Sequence, residues 1–182
     1  PPVKQSALTK LDAKTLEQLA QVSPDAAPAR ENGEDGGLFA LYGIGTDDVN
    51  GTVWVTNSRQ NTISVYKQSD LSLVKQFPPG AVSHARDVVV DEAAGRAYSS
   101  ATFTGNIEVF DTKTLEQLEP IVLTSAERGG EWSAMALDID PASGTLLNVS
   151  MSSNELAVVD LKSGEARVIA LPGAKGASGV AY

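Results

Sequence analysis

Few side chains of this sequence could carry out chemistry, and their types restrict which chemistry is possible. The 182 residues contain one histidine, His84, and no cysteine. The lack of cysteine excludes disulfides, thiolate ligation of zinc or iron–sulfur clusters, and a cysteine nucleophile. A single histidine excludes a metal site with two histidine ligands from this chain. We therefore predict no catalytic residue, no metal site and no bound cofactor.

Three short motifs begin like known functional loops but depart from them at the residues that matter. Residues 43–48, Gly-Ile-Gly-Thr-Asp-Asp, place Asp48 at the third glycine of a dinucleotide-binding loop, where its charge would repel a pyrophosphate. Residues 138–144 lack the fifth-position acid and the distal glutamate of a calcium loop. Ser83 and His84 are sequence neighbours, which point to opposite faces of a strand, and no Gly-x-Ser-x-Gly motif is present.

The charge balance also excludes a class of partner. The chain carries 23 acidic against 14 basic side chains, a formal net charge of −9. A general nucleic-acid-binding surface requires an excess of Lys and Arg along one face, so we predict no nucleic-acid partner. No apolar run approaches the roughly 20 residues of a membrane span.

The sequence contains three copies of one pattern. An acid, a glycine and an asparagine recur in each copy, and the acids and the glycines share spacings of 44 and 49 residues. These landmarks are Asp47, Asp91 and Asp140; Gly51, Gly95 and Gly144; and Asn61, Asn106 and Asn154. Each copy has four short segments rich in Val, Ile, Tyr and Phe, separated by turn residues, which predicts an all-β chain. Four strands in about 45 residues are typical of a β-propeller blade. A β-sandwich with coincidental spacing is the alternative.

Parts of further units flank the three copies. Residues 12–19, Asp-Ala-Lys-Thr-Leu-Glu-Gln-Leu, nearly duplicate residues 111–118, which join the third and fourth segments of a copy. They therefore predict outer strands, although their spacing of apolar residues also suits a helix. The predicted ranges are 1–23 for two outer strands of a partial blade, 24–37 for a loop, 38–77, 78–123 and 124–171 for three complete blades, and 172–182 for the first strand of a truncated blade.

We thus expect a partial β-propeller, with three complete four-stranded blades and partial blades at both ends. A ring of about seven such blades would need roughly 315 residues, so the chain is expected to be part of a larger propeller. Exposed strand edges can pair with another chain, and we expect this part to self-associate through its blade edges.

Residues 54–66, Trp-Val-Thr-Asn-Ser-Arg-Gln-Asn-Thr-Ile-Ser-Val-Tyr, carry a family signal. They resemble the repeat signature of the YVTN-family β-propellers, whose second strand ends Tyr-Val-Thr-Asn and whose third reads Asn-Thr-Val-Ser-Val-Ile-Asp. Trp54 replaces the Tyr, Tyr66-Lys67 replaces Ile-Asp, and the other two copies match more loosely. The chain is similar to the exported bacterial members, the YncE-like and surface-layer-associated proteins. The resemblance implies a periplasmic, cell-surface or secreted protein rather than a cytoplasmic one. It transfers no catalytic residue.

Blade connectivity brings two sets of loops to opposite faces. The loops after the second and fourth strands share one face, called here the upper face, and the hairpins and turns after the first and third strands share the lower face. The lower hairpins are rich in acids, whereas the upper loops hold four basic side chains against three acidic ones. An anionic ligand should therefore prefer the upper face.

Candidate ligand-binding residues lie where first strands begin and in the neighbouring upper loops. They are His84, Arg86, Arg128, Glu131, Trp132, Lys175, Arg59 and Phe103. One interpretation is a polar pocket with an aromatic floor. The other is that Trp132 packs between blades and the charges form a solvated rim.

Three functions remain open at this point. The first is a non-catalytic exported propeller that binds a partner or a small ligand, of unknown identity, on its upper face. The second is a propeller-type enzyme, such as a lactonase or a subunit of a periplasmic dehydrogenase, whose catalytic residues lie mostly in other blades. The third is a structural module of a surface layer or cell wall.

Overall fold

The computed structural model describes residues 6–24, 40–126 and 129–182. This part of the chain consists of strands, turns and loops and contains no helix, and so none that could cross a membrane. Its strands are β1 Leu8–Leu11, β2 Gln18–Val22, β3 Leu41–Asp47, β4 Thr52–Asn57, β5 Thr62–Lys67, β6 Leu73–Gln76, β7 Ala85–Asp91, β8 Arg96–Ala101, β9 Asn106–Asp111, β10 Gln117–Val122, β11 Ala134–Asp140, β12 Thr145–Ser150, β13 Glu155–Asp160 and β14 Ala166–Ala170.

Three antiparallel four-stranded sheets follow one another along the chain. They contain β3 to β6, β7 to β10 and β11 to β14, each with neighbouring strands in sequence order. We call them the first, second and third blades. β1 and β2 pair only with each other and are called the N-terminal hairpin. The predicted all-β class with three complete four-stranded units is confirmed.

The blades meet along their first strands. β7 lies between β3 and β11 and contacts both of them. A Cβ atom on Gly43 would lie 2.6 Å from the carbonyl oxygen of Arg86, so β3 can approach β7 this closely only because residue 43 is glycine. The Thr56 hydroxyl, 3.1 Å from the same Arg86 oxygen, adds a hydrogen bond between the two blades. This radial arrangement is that of propeller blades rather than of a two-layered sandwich.

The second strand of the first blade is buried on both faces because the second blade covers one side and the N-terminal hairpin covers the other. All six residues of β4 are buried. Trp54 faces the second blade, and the centroid of its ring lies 5.7 Å from that of Phe110 in the second blade and 6.1 Å from that of Phe77 at the end of the first. Its neighbours Val53 and Val55 point the other way and pack against the N-terminal hairpin. Strand alternation thus supplies apolar side chains to two interfaces at once.

The lower hairpins have the geometry that the repeated acid and glycine predict. Gly51, Gly95 and Gly144 adopt φ values of 64°, 65° and 73°, in the left-handed region that glycine enters without steric strain. In the first two hairpins a carboxylate oxygen of Asp47 or Asp91 accepts a backbone N–H three residues later at 3.0 Å. The acids are therefore turn caps, as in an Asx-turn.

The upper turn of the second blade shows that one of the three predicted asparagine landmarks, Asn106, is wrong. Asn61 and Asn154 adopt φ values of 55° and 54°, but their counterpart in the second blade is Gly105, with φ 76°, and not Asn106. Asn106 instead begins β9. Asn and Gly are both tolerated in the left-handed conformation, so the turn retained its geometry while the residue type changed.

The N-terminal hairpin confirms that residues 12–19 join two strands, as residues 111–118 do, and contradicts the helical alternative. That β1 and β2 are the outer strands of a partial blade stays a prediction. β1 and β2 are joined by a turn in which Leu16 adopts φ 60°, as Leu115 does with φ 57° in the second blade. Leu8 is buried against the first blade. Of the loop predicted for 24–37, only Pro24 belongs to the described residues.

Residues 172–182 do not form the predicted first strand. The segment nevertheless follows the path on which other first strands begin: Asn154 Oδ1 accepts the N–H of Gly176 at 2.7 Å, just as Asn61 Oδ1 accepts that of His84 at 2.8 Å. Its last backbone N–H, that of Tyr182, donates to Asp138 Oδ2 at 2.6 Å. A first strand is held by the ladder with its second strand, and no described strand pairs with this segment.

Candidate functional site

The upper face carries a flat ring stack at the start of β7. The imidazole of His84 lies parallel to the ring of Phe103, with 4.3 Å between centroids and 7° between planes. His84 adopts φ 52°, a strained value for a non-glycine residue that Asn61 holds by accepting its N–H. Phe103 is 73% exposed, so its outer surface is accessible. The stack is an exposed aromatic platform held in place by its neighbouring turns.

The charge state of the platform is set by its surroundings. Partial burial, and secondarily the positive charge of Arg86, lower the pKa of His84 below its ordinary value of 6.5, while a hydrogen bond to the Ser58 backbone acts in the opposite direction. The imidazole is therefore neutral at neutral pH. Protonation would add a second positive charge near the Arg86 guanidinium.

A groove of about 370 Å³ lies beside the platform, where the first strands of the blades converge. Its lining comes from β3, β7, β11 and the C-terminal segment: Tyr42, Gly43, Ile44, Arg86, Asp87, Met135, Ala136 and Ser178. Equivalent positions of successive repeats thus meet at one place. A site here is shared among blades, so no single repeat could contain it.

Arg86 is the positive group of this groove. Its guanidinium carbon lies 5.0 Å from the centre of the Tyr42 ring, in a cation–π arrangement. Its Nε is buried and has no hydrogen-bond partner among the described residues. Buried donors and charges are normally paired, so the groove contains hydrogen-bonding capacity that this part of the chain does not use.

Asp87, the next residue, is already engaged. One of its carboxylate oxygens accepts the N–H of Leu137 on β11 at 3.0 Å, and the other accepts the N–H of Val88 at 2.9 Å. Burial raises the pKa of Asp87, and the nearby charge of Asp138 raises it further, although the two backbone bonds oppose this. The carboxylate joins the second and third blades and is not a free acid facing the groove.

The structure brings together three of the eight predicted site residues. His84 and Phe103 form the platform, and Arg86 lies two residues further along β7. Arg59, Glu131 and Lys175 are exposed on the upper loops and form no ion pair with described residues. Arg128 lies outside the described residues.

Trp132 is a correction to the interpretation of an aromatic floor. It is 5% exposed and packs among side chains of the second and third blades. Its indole N–H donates to Asn148 Oδ1 at 2.8 Å. Trp132 is therefore core between blades, as the alternative interpretation held, and the accessible aromatic groups are Phe103 and Tyr42.

Sequence reasoning missed Tyr42 and the role of Asp87. Tyr42 occupies the same repeat position as Arg86, and Asp87 occupies the same position as Gly43. An alignment of the first strands with one another, rather than a separate reading of each loop, would have paired Tyr42 with Arg86. Groups of three or more His, Asp or Glu residues that could hold a metal ion are absent from the described residues.

Comparison with known proteins bears on the fold. No family model matches the chain, and no curated protein matches its sequence. Solved structures do: the hydrazine synthase of Kuenenia stuttgartiensis is similar over 90% of this chain, with 18% identity and a TM-score of 0.66. The dihydro-heme d1 dehydrogenase NirN is similar over 91%, with 16% identity and a TM-score of 0.67. The fold is that of a β-propeller.

A third similar structure is the virginiamycin B lyase of Staphylococcus aureus, with 20% identity over 76% of this chain and a TM-score of 0.58. The propeller chain described here spans 43%, 33% and 43% of the lengths of these three structures, respectively. At these identities the similarity establishes the architecture and carries no residue role to this chain.

Proposed function

We propose that this chain is part of an exported, non-catalytic propeller of the YVTN type that binds an anionic ligand or partner group at the junction of its first strands. One observation carries the proposal: the half-buried Arg86 guanidinium is fixed against Tyr42 while its Nε has no acceptor among the described residues. Removing such a cation from water is unfavourable unless an anion compensates it. A carboxylate or phosphate group is the chemical complement of a guanidinium.

The aromatic platform supports a ligand with a flat apolar portion. Phe103 presents one ring surface to solvent, and its other surface is occupied by His84. Arg86 is close enough to His84 for its charge to lower the pKa of the imidazole. An aromatic acid would place its ring near Phe103 and its carboxylate near Arg86, and aromatic acids are the ligand class that we assign to this site.

Isothermal titration calorimetry with benzoate as the probe tests the proposal. Arg86→Gln should weaken benzoate binding by about 10- to 100-fold, because hydrogen bonds to a charged group contribute about 1.5–3 kcal/mol. Arg59→Gln is the matched control, since Arg59 is exposed on the same face and should leave the affinity unchanged. Equal affinities of wild type and Arg86→Gln would refute the site.

A propeller-type enzyme is the second candidate, and the neutral imidazole of His84 favours it. A neutral histidine can act as a general base that takes a proton from water as the water attacks the carbonyl carbon of a bound ester. Turnover of a lactone or another ester by this chain, abolished by His84→Gln with benzoate affinity retained, would replace the binding function by catalysis. Retained benzoate binding with no turnover supports the binding module over both the enzyme and a purely structural surface-layer role.

A further inference from the structure

The turn between the third and fourth strands occurs four times with one geometry. In each turn the backbone N–H of the fifth residue donates to the carbonyl oxygen of the first, at 2.8 to 3.0 Å. The fifth residues are Leu16, Leu71, Leu115 and Gly164, and all have positive φ values between 57° and 77°. The four turns can therefore be compared residue by residue.

In three of the turns, one carboxylate oxygen accepts hydrogen bonds from two backbone N–H groups. Asp12 Oδ1 accepts the N–H groups of the residues two and three positions later at 2.9 and 2.8 Å. Asp111 Oδ1 does the same at 3.0 and 2.8 Å, and Asp160 Oδ1 at 2.8 and 3.0 Å. Each turn thus contains a built carboxylate-binding position, occupied by its own first residue.

The turn of the first blade differs at that residue. Lys67 stands where the other turns have aspartate, so no carboxylate of a first residue accepts the N–H groups of Ser69 and Asp70. The N–H of Asp70 instead interacts weakly with the carboxylate of its own side chain. The Asp70 carboxylate is directed mainly to the N–H of Ser72, at 2.9 Å. The same donor pair is therefore present without the carboxylate that the first residue supplies in the other three turns.

Positive and polar groups surround this donor pair. The Lys10 ammonium, from the N-terminal hairpin, lies 3.0 Å from the Gln68 carbonyl oxygen and 3.3 Å from that of Ser69. Lys10 and Lys67 line a groove of about 610 Å³ together with Thr52. Thr52 is 7% exposed, and its buried hydroxyl has no hydrogen-bond partner among the described residues.

The equivalent place in the second blade shows what is missing from the first. There Arg96 and Asp111 face each other across β8 and β9 and form an ion pair at 2.7 Å. In the first blade the cross-strand partners are Thr52 and Lys67, which contain no acid. The two acids nearby, Asp48 and Asp70, accept hydrogen bonds from Gln68 and Ser72 and so balance the lysines without capping the donors.

We propose that the turn formed by residues 67–71, on the lower face, is a binding site for an external carboxylate. The ligand oxygen takes the position that Asp111 Oδ1 occupies in the second blade, where it accepts the N–H groups of Ser69 and Asp70. Lys67 and Lys10 supply the countercharge, and the Thr52 hydroxyl supplies a further donor in the groove. Successive backbone N–H groups in a turn of this kind form an anion-binding concavity.

Acetate titration followed by ¹H–¹⁵N NMR, with chloride balancing the ionic strength, tests this site. The amide signals of Ser69 and Asp70 should shift in a saturable way. Those of Lys113 and Thr114 are the internal control and should not shift, because Asp111 already occupies the equivalent position. A glutamate-rich peptide that binds more tightly than acetate at equal carboxylate concentration would assign the ligand to a protein segment, and equal binding would assign it to a small molecule.

Two variants separate the proposal from non-specific anion effects. Lys67→Asp restores the internal cap, so it should abolish the acetate response and raise the Tm above that of the wild type. Asp111→Lys should transfer the response to Lys113 and Thr114. The site is overturned if Ser69 and Asp70 show no saturable shift, or if Lys67→Asp retains it. If Asp111→Lys does not fold, Lys67→Asp alone tests the site. This variant should fold, because three turns already contain aspartate at the same position.

Discussion

At the scale of single residues, the upper face is organised by asparagines that hold strained backbone. Asn61 has positive φ, and its side chain accepts the N–H of His84, which also has positive φ and forms half of the aromatic platform. The corresponding pair at the other end is Asn154 and Gly176, where glycine adopts φ 66° without strain. His84 therefore occupies a backbone conformation that glycine would adopt with less strain.

Substitutions of Asn61 separate the hydrogen bond from the backbone conformation. Asn61→Gly keeps the left-handed φ accessible, as Gly105 does in the second blade, and should cost about 1 kcal/mol for the lost bond. Asn61→Ala should cost about 1–2 kcal/mol more, because an L-residue is strained at this φ. Urea unfolding gives both values. Equal losses in the two variants would show that the backbone conformation contributes nothing.

At the scale of the elements, the sequence predicted turns and strands well because their residues act locally. The acid and glycine of the lower hairpins and the duplicated string at 12–19 were sufficient, since caps and positive φ need few neighbours. The position of Trp132 was not settled by its sequence because burial depends on which blade lies beside it. The prediction of a strand at 172–182 was wrong for a similar reason, because a strand forms only beside a partner strand and no described strand pairs with this segment.

The aspartate-capped turns predict acid sensitivity. The pKa values of Asp12, Asp111 and Asp160 are lowered chiefly by backbone hydrogen bonds from Thr15, Thr114 and Ser163. A lowered pKa in the folded state means that these groups stabilise the fold above the unfolded value of about 3.8 and that this stabilisation is lost as the pH falls through the folded value. Burial raises the pKa values of Asp87 and Glu108, so these two groups oppose the loss of stability as the pH falls.

Because these three acids with lowered pKa values outnumber the two with raised ones, the Tm should fall when the pH drops from about 5 to about 3. Differential scanning calorimetry over this range measures the effect. Asp111→Asn should flatten the dependence, since an amide does not titrate. A Tm that stays constant or rises on acidification would mean that the turns are not capped by ionised carboxylates.

At the scale of the whole molecule, the candidate site is formed by equivalent residues of several blades that meet at one junction. Tyr42 and Arg86 occupy the same repeat position in neighbouring blades, and their contact exists only because β3 and β7 lie side by side. No single repeat reveals this site, which is why the sequence predicted Arg86 without its partner. Self-association through blade edges stays a prediction, as do the number of blades in the complete ring and the export of the protein.

A double-mutant cycle on Phe77 and Phe110 measures whether the first blade packs against the second. These rings come from different blades and meet edge to face at 4.7 Å. Urea unfolding of Phe77→Leu, Phe110→Leu and the double variant should give a coupling energy of about 0.5–1.5 kcal/mol. The same cycle with the exposed Phe103 in place of Phe110 should be additive. Additivity of Phe77 and Phe110 would contradict the arrangement of these strands as neighbouring propeller blades.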